Sequence, residues 1–207
     1  GLAKKVLLAD YLSGSVDYGY SILPRLTWLD AMIVMIGFSL QLYLDFQGYS
    51  LMAVGIGVML GFPYMKNFDQ PYMATSISGF WRRWHITLGA WFRDYVYIPL
   101  GGNRKGAFRN VCNLVCVWLL TGLWHGNGIN FVIWGLTVGL LIVLEKLFYG
   151  RWMSERKILS HLYVWFLIPL TWMVFAIEDV NQMEVYFGRL FPFFGIGETL
   201  NEREIFQ

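Results

Sequence analysis

Charge is what this sequence has least of. Only 14% of its 207 residues are Asp, Glu, Lys or Arg, against ~25% in soluble domains. From Asn110 to Leu144 a run of 35 residues holds none of them, and from Ala31 to Met65 a second run of 35 holds only Asp45. Gaps of that length exclude an ordinary soluble core. Cysteine is scarce as well. Cys112 and Cys116 stand four apart on a helical pattern, which excludes a disulfide loop. With no other ligand-type cluster nearby, a zinc site is not supported either. Both read as small apolar packers. The basic residues are laced with Trp and flanked by apolar runs, so no nucleic-acid surface is expected.

What is present is apolar and aromatic: 57% hydrophobic residues, 18% Phe, Trp and Tyr, and a mean hydropathy of +0.48. This composition describes an all-α, multi-span membrane protein. Residue 1 is Gly, and the chain is expected to be a portion of a longer protein. Between Tyr64 and Arg109 stand Lys66, Arg82, Arg83, Arg93, Arg104, Lys105 and Arg109 against Asp69 and Asp94. The positive-inside rule makes that region cytoplasmic. After Ile177 the balance is acidic, and the tail is expected outside. The resulting organisation is an entry segment over 1–30 ended by Pro24, membrane helices over 31–65 and a cytoplasmic or interfacial region over 66–109. A broken hairpin over 110–148, a crossing over 158–177 with Pro169 as a kink, and an acidic tail over 178–207 complete it.

The hairpin is broken at Thr121-Gly122-Leu123-Trp124-His125-Gly126-Asn127-Gly128. One crossing needs ~20 residues and two need ~40, so the uncharged run fits two short or tilted helices with a break at Gly126–Gly128. Apart from the cysteines, His125 is the one titratable side chain there. Irregular backbone at membrane depth must line a cavity or be buried in protein, and a polar residue at such a place is a functional candidate. A packing His bonded to a neighbouring helix is the plainer alternative.

The run over 31–65 reads as one long kinked helix or two short ones. Asp45 in its middle is either a buried, hydrogen-bonded acid or part of a polar cavity. Asn67-Phe68-Asp69-Gln70-Pro71-Tyr72 reads as a loop. On a helix of ~100° per residue, Trp81, Trp84, His85, Leu88, Trp91, Phe92 and Tyr95 share one face, opposite Arg82, Arg83, Arg93 and Asp94. An aromatic face opposite a cationic one is the mark of a helix lying in the membrane interface. Pro99-Leu100-Gly101-Gly102-Asn103-Arg104-Lys105-Gly106 is a tight loop with a cationic tip. It lacks P-loop spacing, and lipid headgroups account for its charge.

Phe80-Trp81-Arg82-Arg83-Trp84-His85, then Arg93 to Gly106, then Gly122-Leu123-Trp124-His125-Gly126, in this order and spacing, resemble the membrane-bound O-acyltransferase family. The bacterial polysaccharide O-acetyltransferase branch looks closest. Tyr43 to Ser50, Leu60-Gly61-Phe62 and Trp172-Met173-Val174-Phe175 resemble that branch too, and the resemblance covers about Leu2 to Leu190. It implies short and broken helices around a tunnel, with His125 as principal catalytic residue and His85 as a second functional candidate. Members are longer than this chain. Where they commonly carry an Arg after the late aromatic, this chain reads Phe175-Ala176-Ile177-Glu178.

Acyl transfer to a hydroxyl needs a base, and an imidazole titrating near neutrality suits it. No Ser or Cys nucleophile stands beside His125 in the motif, so direct transfer is expected, with His125 as general base and His85 orienting the donor. Trp124, Asn127 and Asp45 are candidates for substrate contact. Arg104 and Lys105 are candidates for attracting an anionic donor, acetyl-CoA or an acylated carrier, with no bound cofactor. The expected setting is the bacterial inner membrane, with an extracytoplasmic polysaccharide as acceptor and partner proteins outside. D-alanyl transfer to teichoic acid and peptidoglycan O-acetylation are alternatives within the family. A proton-coupled transporter, with His125 and Asp45 as relays, is the alternative of another class.

Overall fold

A computed structural model of the chain describes residues 1–194; the rest of the expected acidic tail, with Glu198, Glu202 and Glu204, lies outside them. The described residues form helices and turns, with no strand among them. In order these are α1 (Asp10–Ser21), α2 (Trp28–Met59), α3 (Ile77–Trp81), α4 (Ile86–Phe92), α5 (Gly106–His125), α6 (Ile129–Leu144), α7 (Gly150–Ser154), α8 (Lys157–Ala176) and α9 (Val180–Leu190). Wider π turns lead into α1 over Lys4–Ala9, extend α4 over Arg93–Tyr97 and join α6 to α7 over Glu145–Tyr149.

Four stretches among the described residues are long and apolar enough to cross a membrane: Trp28–Met59, Gly106–His125, Ile129–Ser154 and Lys157–Ala176. The run around Asp45 is therefore one helix of 32 residues, not two. Thr27 and Asp30 start it reciprocally: the Thr27 N–H donates to Asp30 Oδ2 at 3.0 Å and the Asp30 N–H to Thr27 Oγ1 at 3.2 Å, satisfying donors that a first turn leaves open. The two arms of the hairpin are longer than the uncharged run suggests, at 20 and 26 residues. Helix continues past both ends of that run, taking in Arg109 at one and Glu145, Lys146 and Arg151 at the other. Pro169 lies inside α8. Cys116 is half-buried, but Cys112 is an exposed free thiol rather than a packing residue.

Two compact units divide the chain, one of Gly1–Met52 with the residues from Trp172 onward, the other of Ala53–Thr171. In the first, a Cβ on Gly19 of α1 would fall against the Val34 side chain of α2, so the helices touch closely there. Tyr186 of α9 donates its hydroxyl to the Ala31 carbonyl at 2.7 Å. Asp45 pairs with Lys5, whose Nζ also lies 3.0 Å from Asp10, and Lys4 donates to Gln47 at 2.6 Å.

In the second unit α5 and α6 meet backbone to backbone. A Cβ on Gly122 would strike the Phe131 carbonyl oxygen, and one on Gly135 the Trp118 carbonyl oxygen. Small residues at a helix crossing permit this approach. Trp134 and Val138 of α6 are wholly buried, as are Ile77 and Phe80 of α3. Trp165 of α8 donates its indole N–H to the Tyr72 carbonyl at 2.7 Å, and Ser160 donates to the Met153 carbonyl at 2.6 Å.

Candidate active site

α5 ends on His125, Gly126 follows it, and α6 begins at Ile129. The break therefore falls where Gly126 and Gly128 stand. A Cβ on Gly126 would collide with the Phe131 ring at 2.6 Å, so the chain turns there against an aromatic wall that leaves no room for a side chain. The His125 ring sits 4.9 Å from Trp124 and 5.1 Å from Trp134, nearly perpendicular to the latter, and lies 6.3 Å from Phe131, stacked on it. Behind it Trp81, Trp118 and Trp134 pack edge to face, with Trp81 4.9 Å from Trp118 and 5.6 Å from Trp134. Indoles at these spacings add directional packing to the area they bury.

His85 reaches the same place from another segment. The single helix expected over 81–95 is instead α3 and α4, separated by a break at Arg82–His85. His85 is at φ 47°, ψ 53°, in the left-handed region, which few non-glycine residues occupy. Its Nδ1 caps α4 by accepting from the Leu88 N–H at 3.3 Å. The backbone on either side of it, at Arg83 and Ile86, is held by the 67–69 loop. The Asp69 N–H donates to the Arg83 carbonyl at 2.9 Å, and the Ile86 N–H to the Asn67 carbonyl at 3.0 Å. Asn67 Oδ1 takes the Thr87 hydroxyl at 3.0 Å and its N–H at 3.3 Å. Surroundings that over-determine a residue are what sustain such a conformation. These long-range bonds break the helix that an aromatic period alone predicts.

The break redirects the aromatic face. Trp84 turns inward onto Phe68 at 5.0 Å and Phe80 at 5.5 Å, Trp81 turns to the Trp cluster, and Trp91 stays exposed beside Tyr95. His85 faces Trp124, 6.2 Å away at 89°, and the same indole lies 4.9 Å from the His125 ring. Burial holds His85 below its ordinary pKa of 6.5. With Nδ1 accepting a backbone hydrogen bond, the neutral ring carries its proton on Nε2, where it is a donor.

The remaining sequence candidates fall in three places. Asn127 is exposed in the turn after His125, and Trp124 is half-exposed at the end of α5. Arg104 and Lys105 are exposed on their loop, whose Gly101 and Gly102 have φ of 107° and 54°. That loop is pinned to α5. Asn113 Nδ2 donates to the Leu100 carbonyl at 3.3 Å and the Gly102 carbonyl at 3.0 Å, and Tyr97 donates to Asn110 Oδ1 at 2.8 Å. Asp45 belongs to the other unit, where Lys5 is its partner.

Four residues that position the site escape a reading of the sequence: Asn67, Asn110, Asn113 and Glu145. The asparagines look like ordinary loop and helix-start residues. Glu145 looks like the charge that ends an apolar run. It is 7% exposed, and both its oxygens accept backbone N–H groups of α3, from Ile77 at 2.7 Å and Ser78 at 3.3 Å. No local pattern announces a bond between residues that far apart.

A histidine at a helix break, a second one that meets it through Trp124, and four helices long and apolar enough to cross a membrane define a polytopic membrane protein. The sequence pattern of the membrane-bound O-acyltransferase family matches residues 6–177, and the chain belongs to that family. It is 42% identical over 195 residues to the probable alginate O-acetylase of Pseudomonas fluorescens, covering 93% of this chain and 39% of that protein. It is 39% identical over 186 residues to the peptidoglycan O-acetyltransferase of Helicobacter pylori, covering 88% of this chain and 35% of the relative. The teichoic acid D-alanyltransferase of Bacillus subtilis is 33% identical over 145 residues, covering 65% of this chain and 36% of the relative. The chain thus spans about two fifths of the length of the first relative.

Proposed function

We propose that the protein containing this chain is an acyltransferase of the bacterial inner membrane that moves an acetyl group from a cytoplasmic thioester to a hydroxyl of an extracytoplasmic polysaccharide. The observation that carries the reading is the meeting of His85 and His125 at Trp124, on two segments that both belong to the family's matched stretch. In the reaction His125 takes the proton of the acceptor hydroxyl as its oxygen attacks the thioester carbonyl. The C–O bond forms, the C–S bond breaks, and the departing thiolate takes the proton back from the imidazolium. His85, neutral and with its proton on Nε2, donates a hydrogen bond to the acyl oxygen as negative charge gathers there. Trp124 and Asn127 line the approach to the reacting atoms through a tunnel. Arg104 and Lys105, on the basic and therefore cytoplasmic side, draw in an anionic donor such as acetyl-CoA or an acylated carrier protein. Asp45 is a structural acid in this reading, held by Lys5.

Alginate-type acetylation rests on the first relative and the fraction of this chain that it covers. Peptidoglycan O-acetylation is the second reading, favoured by a relative of nearly equal identity. The deciding experiment is the O-acetyl content of secreted polysaccharide and of peptidoglycan in cells carrying full-length wild type or H125A at matched membrane levels. Loss of O-acetyl groups from one polymer in H125A names the acceptor. Unchanged O-acetylation of both would overturn acetyl transfer through His125.

A further inference from the structure

The geometry points to Glu145 as the positioning residue that holds the His85 segment against the His125 turn. Glu145 follows directly on α6 and is almost wholly buried within a membrane-length stretch. Ionisable groups are costly at such a place and are retained for a purpose. Its carboxylate receives the Ile77 and Ser78 N–H groups at 2.7 and 3.3 Å. These are among the donors that the first turn of α3 leaves unpaired.

The contacts run in order along the hairpin. Residue 77 meets residue 145, Trp81 meets Trp134, and His85 meets Trp124. The stretch from Ile77 to His85 therefore lies antiparallel to α6, tied at one end by Glu145 and delivering His85 at the other. Ser76 caps the Gly79 N–H at 2.9 Å, so Glu145 is not needed to start α3; what it adds is the tie to α6. A residue so placed sets how far along the hairpin His85 reaches. This deepens the proposed function and rests on the role given there to His85.

Both oxygens are used as acceptors, which specifies the substitutions. Glu145→Ala removes both bonds. Glu145→Gln keeps one acceptor and turns an NH2 group toward the other backbone N–H. The first readout needs no catalysis. Full-length protein in detergent is treated with diethyl pyrocarbonate, and the carbethoxylation rate of His85 is followed by mass spectrometry of its peptide. Labelling of His85 is expected to rise several-fold in E145A and less in E145Q, with melting temperatures near wild type. If E145A does not accumulate, E145Q alone decides. A His85 rate equal to wild type overturns the assignment. The second readout is coupling: E145Q lowers acyl transfer in the wild-type background but costs nothing further in H85N, as expected of residues acting through one another. Additive losses overturn it. Faster His85 labelling beside full activity in H85N leaves the tie standing and removes the catalytic role of His85. An inactive H85N beside unchanged labelling in the Glu145 variants does the reverse.

Discussion

Trp124 stands at 89° to the imidazole of His85, with ring centres 6.2 Å apart. Trp124 stands in the last turn of a membrane-length helix; His85 caps a helix of seven residues. That contact joins the two motif-bearing segments at the candidate site, and the expected behaviour of variants is organised around it.

His85→Asn is expected to fold and to lose activity. Asn tolerates the left-handed region better than most residues and caps helices well, so the break survives while the Nε2 donor is gone. Loss of one donor to a developing oxyanion costs roughly 100-fold or more in rate. His85→Ala loses the cap as well, at about 1 kcal/mol. Acyl transfer rates and melting temperatures of the two variants check this; wild-type turnover in H85N removes His85 from the mechanism.

Acidification is expected to destabilise the protein through His85. Burial lowers its pKa below 6.5 in the folded chain. Above that pH the imidazole is neutral both folded and unfolded, and the cap is intact. Below it the unfolded chain binds a proton that the folded chain resists, so stability falls as pH falls. The melting temperature in detergent is expected to drop as the pH falls below 6.5, and to drop less in H85N. Equal slopes in the two proteins would count against the buried, neutral cap.

Gly122→Ala is expected to disrupt the hairpin. Its Cβ meets a backbone carbonyl that belongs to the next helix, and no rotamer relieves that clash. Overpacking of this kind costs ~1–3 kcal/mol and displaces His125, three residues further on. Gly55→Ala in α2 is the matched control, since its Cβ would meet nothing within 4 Å. Thermal unfolding in detergent should separate the pair; indistinguishable curves would mean that α5 and α6 are not in backbone contact.

Arg104→Ala with Lys105→Ala is expected to raise the KM for an anionic donor about tenfold while leaving kcat in place, the pattern of lost binding rather than lost chemistry. Added salt reproduces the effect in wild type by screening exposed charges. A fall in kcat at constant KM would assign the loop another task.

The membrane helices and the turn at His125 were legible because both rest on local signals: long uncharged runs, and glycines beside a lone polar group. Helix lengths were underestimated because the spans run on into charged residues such as Arg109 and Glu145. The break at His85 was illegible for a different reason. Trp81, Trp84, Leu88 and Trp91 keep a helical period across it, and what interrupts the helix is hydrogen bonding from Asn67 and Asp69. Asp45 reads from the sequence as a buried, hydrogen-bonded acid or part of a polar cavity; its partner, Lys5, stands forty positions earlier, where no local pattern points to it.

Helices that touch backbone to backbone at Gly122 and Gly135 have no gearing left to slip. A slide by one turn would bring residues with side chains to a crossing that only glycine fits, so α5 and α6 behave as a fixed jaw. The opposing jaw is built differently: short helices hung from Asn67, Asp69 and Glu145 by hydrogen bonds. In the proposed reaction, widening of the site to admit a substrate is expected on that side, carrying His85 while His125 stays.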